Sequence, residues 1–236
     1  MRVTILSSCV LLAVCLFNNS ALRAASIDQS TVSVGGVSAA LLKPAQPRGG
    51  IILLAGGNGS IGVGPNGAIA REGNQLVRTR AAYAARGFAV LVPDCCVDVG
   101  AAVQYMRSFG HVTLVGTSRG TQRAAQGIAA GARPDRLVLT SGFLSNASGD
   151  TDNVMNSVGS ASALPPTLIV HHRQDGCAKT LPAGVAPFLD WAKGKARVAW
   201  LDGGQSTGNP CEAWAHHGFA GQDGQVVSAV AGFAAR

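Results

Sequence analysis

His111-Val112-Thr113-Leu114-Val115-Gly116-Thr117-Ser118-Arg119-Gly120 is the stretch on which the fold of this chain turns. An apolar run reaches a serine set between two glycines, and a helix-forming segment, Gln122 to Ala132, follows. Strand, sharp turn and helix, with Ser118 at the apex, lift a hydroxyl clear of a sheet edge. The turn is tight enough to strain the serine backbone, so its neighbours must be nearly bare of side chain. The pattern alone is weak in a chain with 31 glycines among 236 residues, and Gly204-Gln205-Ser206-Thr207-Gly208 repeats it. Context separates the two. Ser206 runs into Asn209-Pro210-Cys211, which is loop chemistry. Ser118 therefore reads as a nucleophile, with a helix N-cap as the plainer alternative.

Outward from this turn, strands alternate with helices. Thr31 to Leu42 alternates around Gly35-Gly36 and reads as a hairpin. Ile51 to Ala55 and Phe88 to Val92 are continuous apolar runs, the mark of strands covered on both faces. A glycine-rich loop, Gly56 to Gly73, and a helix, Gln75 to Arg86, lie between them. Val99 to Phe109 reads as helix. Strands follow at Leu137 to Leu139, Thr167 to Val170 and Arg197 to Leu201. Helices follow at Phe188 to Lys193 and Gln225 to Ala235. This alternation predicts an α/β fold with a mostly parallel, doubly wound sheet and an antiparallel N-terminal hairpin. Ser141 to Ala163 is short and poor in apolar residues, so no large lid and an open, shallow site are expected.

Residues 1–24 read as a secretory leader: Arg2, an apolar core from Ile5 to Phe17, then small residues near Ala21, Ala24 and Ala25. The core is too short to span a membrane. Leu6-Ser7-Ser8-Cys9 resembles a lipidation signal but comes too early for an apolar core to precede it, and Val14 is too large before Cys15, so no stable membrane association is expected. Residues 25–236 then form one domain, periplasmic or secreted. Loss of Arg2 and Arg23, with no acid, lowers the net charge from +7 to +5. Aromatics are few and no Lys/Arg run occurs, which argues against nucleic acid as a partner. Export permits oxidation of cysteines. A Cys177–Cys211 disulfide is expected, contributing roughly 3–4 kcal/mol in the chain-entropy model. Cys95 and Cys96 read as free buried thiols, with a strained vicinal disulfide as the alternative. No C-x-x-C pair occurs, so no metal site is expected.

A serine hydroxyl needs a base, and the base needs an orienting carboxylate. Asp175 directly follows the strand Thr167–Val170 and is the favoured carboxylate; Asp94 and Asp202 also end strands. The base is His216 or His217, because adjacent residues point differently. His171 and His172 read as the end of a buried strand. Ser118 in its turn, then Asp175 in His171-His172-Arg173-Gln174-Asp175-Gly176-Cys177, then His217 in His216-His217-Gly218-Phe219, resemble the α/β-hydrolase superfamily in residues and in order. Ala55-Gly56-Gly57-Asn58-Gly59 and Val77-Arg78-Thr79-Arg80 resemble small bacterial members of it. The resemblance implies the matching fold, His217 as base with His216 as alternative, no cofactor, and hydrolysis of an ester or related acyl bond in a small-molecule substrate.

A tetrahedral oxyanion needs two N–H donors. Arg119 N–H is one; Gly57 or Asn58, after the Ile51–Ala55 strand, supplies the other. Cys177 and Cys211 flank the acid and base loops, so their bridge would pin the two together. Arg78 and Arg80 read as surface charges or as contacts to an acidic substrate group. Two rival readings exist. Gly62-Val63-Gly64-Pro65-Asn66-Gly67 matches the dinucleotide-binding G-x-G-x-x-G, but it sits seven residues into a loop and opens no helix. A non-catalytic binding protein on the same fold is the other.

Overall fold

The computed structural model describes residues 26–236; the expected leader lies outside the described residues. β1 (Ile27–Val34) and β2 (Val37–Pro44) form the hairpin. It turns on Gly35 and Gly36, at φ 57° and 83°, a backbone that left-handed two-residue turns require. β3 (Gly50–Leu54), β4 (Ala89–Pro93), β5 (Val112–Thr117), β6 (Arg136–Thr140), β7 (Thr167–His172) and β8 (Ala196–Leu201) run parallel to one another. Together the eight strands make one sheet, ordered β1-β2-β4-β3-β5-β6-β7-β8. β2 joins β4 antiparallel, so the hairpin extends one edge of the sheet.

The helices are α1 (Gln75–Arg78), α2 (Arg80–Ala85), α3 (Val99–Met106), α4 (Arg119–Ala129), α5 (Val154–Val158), α6 (Val185–Trp191) and α7 (Asp223–Ala234). The period of two along each strand sorts its residues between two cores. Ile52, Leu54, Leu114 and Leu139 pack with Met106 of α3, Ile128 of α4 and Phe188 of α6. Ile51, Leu53, Val115 and Val138 pack with Leu76, Tyr83 and Val230 of α1, α2 and α7. Burying each such aliphatic side chain contributes about 1.5–3 kcal/mol. β3 to β7 are covered on both faces, which explains why these central strands are apolar nearly throughout, whereas β1 at the edge alternates.

The helix expected over Gln75–Arg86 is broken at Thr79, whose φ −98° and ψ 0° leave the helical region. The Thr79 hydroxyl donates to Gln75 O at 2.7 Å, a local bond that competes with helix continuation. β7 runs on through His171 and His172, which pair with Trp200 and Leu201 of β8. The 141–163 stretch forms no lid. Leu144 and Val154 are sealed in the core, and Gln122 of α4 donates to Asp152 O at 2.6 Å. The glycines of 62–67 lie against the hairpin, where Gln29 donates to Gly67 O at 3.0 Å, and open no nucleotide-binding helix. Among the described residues, no helix is long and apolar enough to cross a membrane.

Candidate active site

Ser118 stands between β5 and α4 at φ 51° and ψ −125°, a strained backbone for a residue with a side chain. The strain is held by close packing on both sides. A Cβ on Gly116 would run into the carbonyl of Gly120, and one on Gly120 into the carbonyl of Leu54. Ser118 N–H donates to Thr140 O of β6 at 3.0 Å. The serine occupies the N-cap position of α4 but its hydroxyl caps nothing, which removes the plainer reading.

Asp175 and His217, 42 residues apart in sequence, meet in the fold. His217 Nδ1 lies 3.1 Å from Asp175 Oδ2, with side chains 6% and 0% exposed. The other carboxylate oxygen, Oδ1, accepts Cys177 N–H at 3.0 Å. Thr180, absent from the expectations above, joins the pair. Its hydroxyl donates to Asp175 Oδ2 at 3.1 Å, and its oxygen lies 2.9 Å from His217 Nδ1. The Nδ1–H is therefore shared between a carboxylate and a hydroxyl, which fixes the tautomer; Nε2 makes no hydrogen bond among the described residues. Ser141, at φ 41°, donates its hydroxyl to the His217 carbonyl at 2.7 Å. Nothing in the spacing of Thr180 or Ser141 marks them; both are ordinary loop residues until the chain folds.

Ser118 and His217 line one cavity of about 560 Å³. Among the described residues, the Ser118 hydroxyl makes no hydrogen bond to the imidazole. Such bonds are often long in unliganded sites and tighten around substrate. Phe143 and Trp214 give the cavity apolar surface, and Arg71, Arg119, Lys179 and Glu212 charge it. Gly57 and Arg119 also line it. Their backbone N–H groups donate to no acceptor within the described residues. Asn58 does not line the cavity. Its side chain instead accepts Ser60 N–H at 3.0 Å and shapes the loop.

The remaining candidates sit apart from the cavity. His216 stacks on His172, ring centroids 4.2 Å apart and 11° from parallel. His172 donates from Nε2 to Gly203 O at 2.9 Å and accepts Gln174 N–H on Nδ1 at 3.0 Å, so it is neutral and structural. Burial lowers the pKa of His171 and of His172, outweighing nearby carboxylates. Asp94 binds backbone: Ile61 N–H at 2.8 Å, Val63 N–H at 3.1 Å and Cys95 N–H at 2.9 Å. Burial pushes its carboxyl up, but these donors together hold it below the usual range. Asp202 caps Gly203 on the surface. Ser206 is loop, accepting His216 N–H at 3.4 Å.

Arg78 is not a surface charge: its side chain is 13% exposed, and it does not line the cavity. Its guanidinium forks onto Asp223 with two 2.8 Å bonds. It also donates to Gly218 O at 2.7 Å and Gly73 O at 2.8 Å, and lies 4.9 Å from the Trp214 ring centroid. Arg78 thus ties the base loop to α7 and to the glycine-rich loop. Arg80 pairs with Glu72 and donates to Val77 O, away from the cavity. Cys177 and Cys211 are bonded to each other, and both line the cavity. Cys95 and Cys96 are free, as expected, but they are not buried: Cys95 is half-buried and Cys96 exposed. They follow Asp94, whose carboxylate accepts from the backbone of Ile61, Val63 and Cys95.

No protein-family model and no curated protein sequence matches this chain. Solved structures do match it in fold. An esterase domain from a Rhodothermus marinus protein superposes with a TM-score of 0.62 at 14% identity, over 89% of this chain and 99% of that one. TT1662 from Thermus thermophilus gives 0.58 at 18% identity, over 78% and 92%. An esterase/lipase from an uncultured bacterium gives 0.56 at 16% identity, over 88% and 83%. With the strand order, the strained serine turn and these likenesses in hand, the chain has the α/β-hydrolase fold.

Proposed function

We propose that this protein is a serine hydrolase that cleaves an ester or related acyl bond of a small molecule through an acyl-Ser118 intermediate. The observation that carries the reading is the Asp175–His217 pair, whose histidine lines the cavity that the strained Ser118 also lines. His217 takes the Ser118 proton as the hydroxyl attacks the carbonyl carbon, then gives it to the leaving oxygen. Water repeats the sequence in reverse to release the acid. Asp175 and Thr180 keep the imidazole in the tautomer that presents Nε2. Arg119 and Gly57 N–H stabilise the oxyanion. The esterase names of the structural neighbours support the same reading.

A fluorophosphonate probe tests it: wild type is labelled and Ser118→Ala is not. Ser118→Ala and His217→Ala each lower p-nitrophenyl acetate turnover by at least about 10³-fold. Folded wild type that neither labels nor hydrolyses would instead be a binding protein on this fold. The leader-like residues 1–24 and the bonded Cys177 and Cys211 support export to an oxidising compartment.

A further inference from the structure

Cys95 and Cys96 take no part in the chemistry above, yet they follow β4 at the same end of the parallel sheet at which Ser118 follows β5. Their sulfurs lie 2.8 Å apart, one reaching toward the other across a single peptide. Cys96 holds a left-handed backbone, φ 70°, which is costly for a residue with a Cβ and brings the two side chains to one side. Around them a small cavity is lined by Gly59, Asp94 and Arg123. Arg123 donates to the carbonyls of Ala55 and Gly57, the second at 3.1 Å. A Cβ on Gly59 would come within 2.9 Å of its guanidinium carbon. Asp94, next to Cys95, holds Ile61 and Val63 of the same loop. Two brackets on the loop of Gly57, one basic and one acidic, therefore converge on the dithiol.

We propose that Cys95 and Cys96 form a redox-active dithiol that exchanges with a low-molecular-weight disulfide, and that its closure acts on the loop carrying Gly57. Cys96 is the exposed sulfur and attacks first. Cys95 is only half-exposed, and the hydrogen bond it shares with Cys96 holds its thiol above the ordinary pKa, so its thiolate is scarce. The Cys96 thiolate displaces one thiol of the oxidant and forms a mixed disulfide. Cys95 then attacks the Cys96 sulfur, the Cys95–Cys96 bond forms and the second thiol leaves. Two protein thiols are oxidised, one disulfide is reduced, and the two protons released end on the departing thiols. Ring closure fixes the backbone immediately after Asp94 and removes the thiols that face Arg123.

The test is intact-mass analysis of the full chain after treatment with oxidised glutathione. Wild type is expected to lose two hydrogens and carry no glutathione. Cys95→Ser, whose remaining thiol cannot be resolved, is expected to carry one glutathione, removable by dithiothreitol. A stable glutathione adduct on wild type, or no reaction in it, overturns the site, and that readout does not depend on hydrolase activity. The coupling rests on the proposed hydrolysis and is read separately. Oxidation is expected to change wild-type ester turnover by at least about threefold, short of the 10²–10³ of losing an oxyanion donor outright. The Cys95→Ser/Cys96→Ser double variant should be indifferent to the same treatment. Equal turnover of oxidised and reduced wild type overturns the coupling; absence of turnover in both forms overturns the hydrolase reading and the coupling with it, while the mass result stands.

Discussion

The serine turn at 116–120 and the Asp175–His217 pair face one cavity but are held by different means. The turn is held by its chain neighbours. Gly116 and Gly120 admit the close backbone approach, and β5 and α4 set its two directions. The acid–base pair is held by distant groups: Thr180 on the acid loop, Ser141 on the His217 carbonyl, Arg78 forked between the base loop and α7, and the Cys177–Cys211 bridge. Local sterics make the first region rigid as soon as the sheet forms. The second exists only once four separate segments have come together, so it has more ways to be loosened without unfolding the protein.

The contrast is sharpened most by removing the hydroxyl itself. Ser118→Ala should abolish turnover, by at least about 10³-fold, while thermal melting stays near wild type or rises, because the strain remains but no packing is lost. A melting point lowered by many degrees would show that the turn depends on the hydroxyl after all. Next, the Cys177→Ala/Cys211→Ala double variant should lose about 3–4 kcal/mol of stability by urea denaturation. Its kcat should fall more than its KM rises, since the bridge holds the pair rather than the substrate. Unchanged kcat with lowered stability would make the bridge a staple for the fold alone.

Thr180→Val should lower kcat about tenfold, a loss of about 1.4 kcal/mol, by freeing the imidazole to turn, with little change in KM. Thr180→Ser should restore it. Equal losses in both variants would assign Thr180 to packing. The smallest effect concerns the buried histidines. His171 and His172 have folded-state pKa values lowered by burial, so the unfolded chain binds more protons than the folded one as pH falls. The stability they contribute is present above the ordinary histidine pKa of about 6.5 and is lost on acidification through it, by up to about 1.4 kcal/mol per pH unit for each proton taken up. Urea midpoints at pH 7.5 and 5.5 should differ in that direction. His171→Phe should flatten the difference; an unaltered slope in that variant would mean His171 is already charged when folded.

Much of this molecule can be read from its residues. Apolar runs flanked by glycine, proline or aspartate gave the positions of the parallel strands, because a strand covered on both faces has no polar alternative. The helix break at Thr79 was hidden, since a single hydroxyl bonding backward leaves no trace in periodicity. Ser118 and Asp175 stand out in the sequence because they follow apolar strands, whereas His217 follows none and is singled out over His216 only by resemblance. Gly57 and Asn58 were indistinguishable in sequence, and only the folded loop sets Gly57 on the cavity wall and the Asn58 side chain against Ser60 N–H. Arg78 looked like solvent charge because its partners, Gly73, Gly218 and Asp223, include none of its own helix.

Sequence alone determined where a serine would be forced out of a sheet edge, because that geometry depends on backbone crowding among five consecutive residues. Only the tertiary structure decided which histidine meets Asp175, that Thr180 shares its proton, and that Arg78 clamps the base loop. These are contacts between groups far apart in the chain, each satisfied by directional hydrogen bonds whose partners no local pattern encodes.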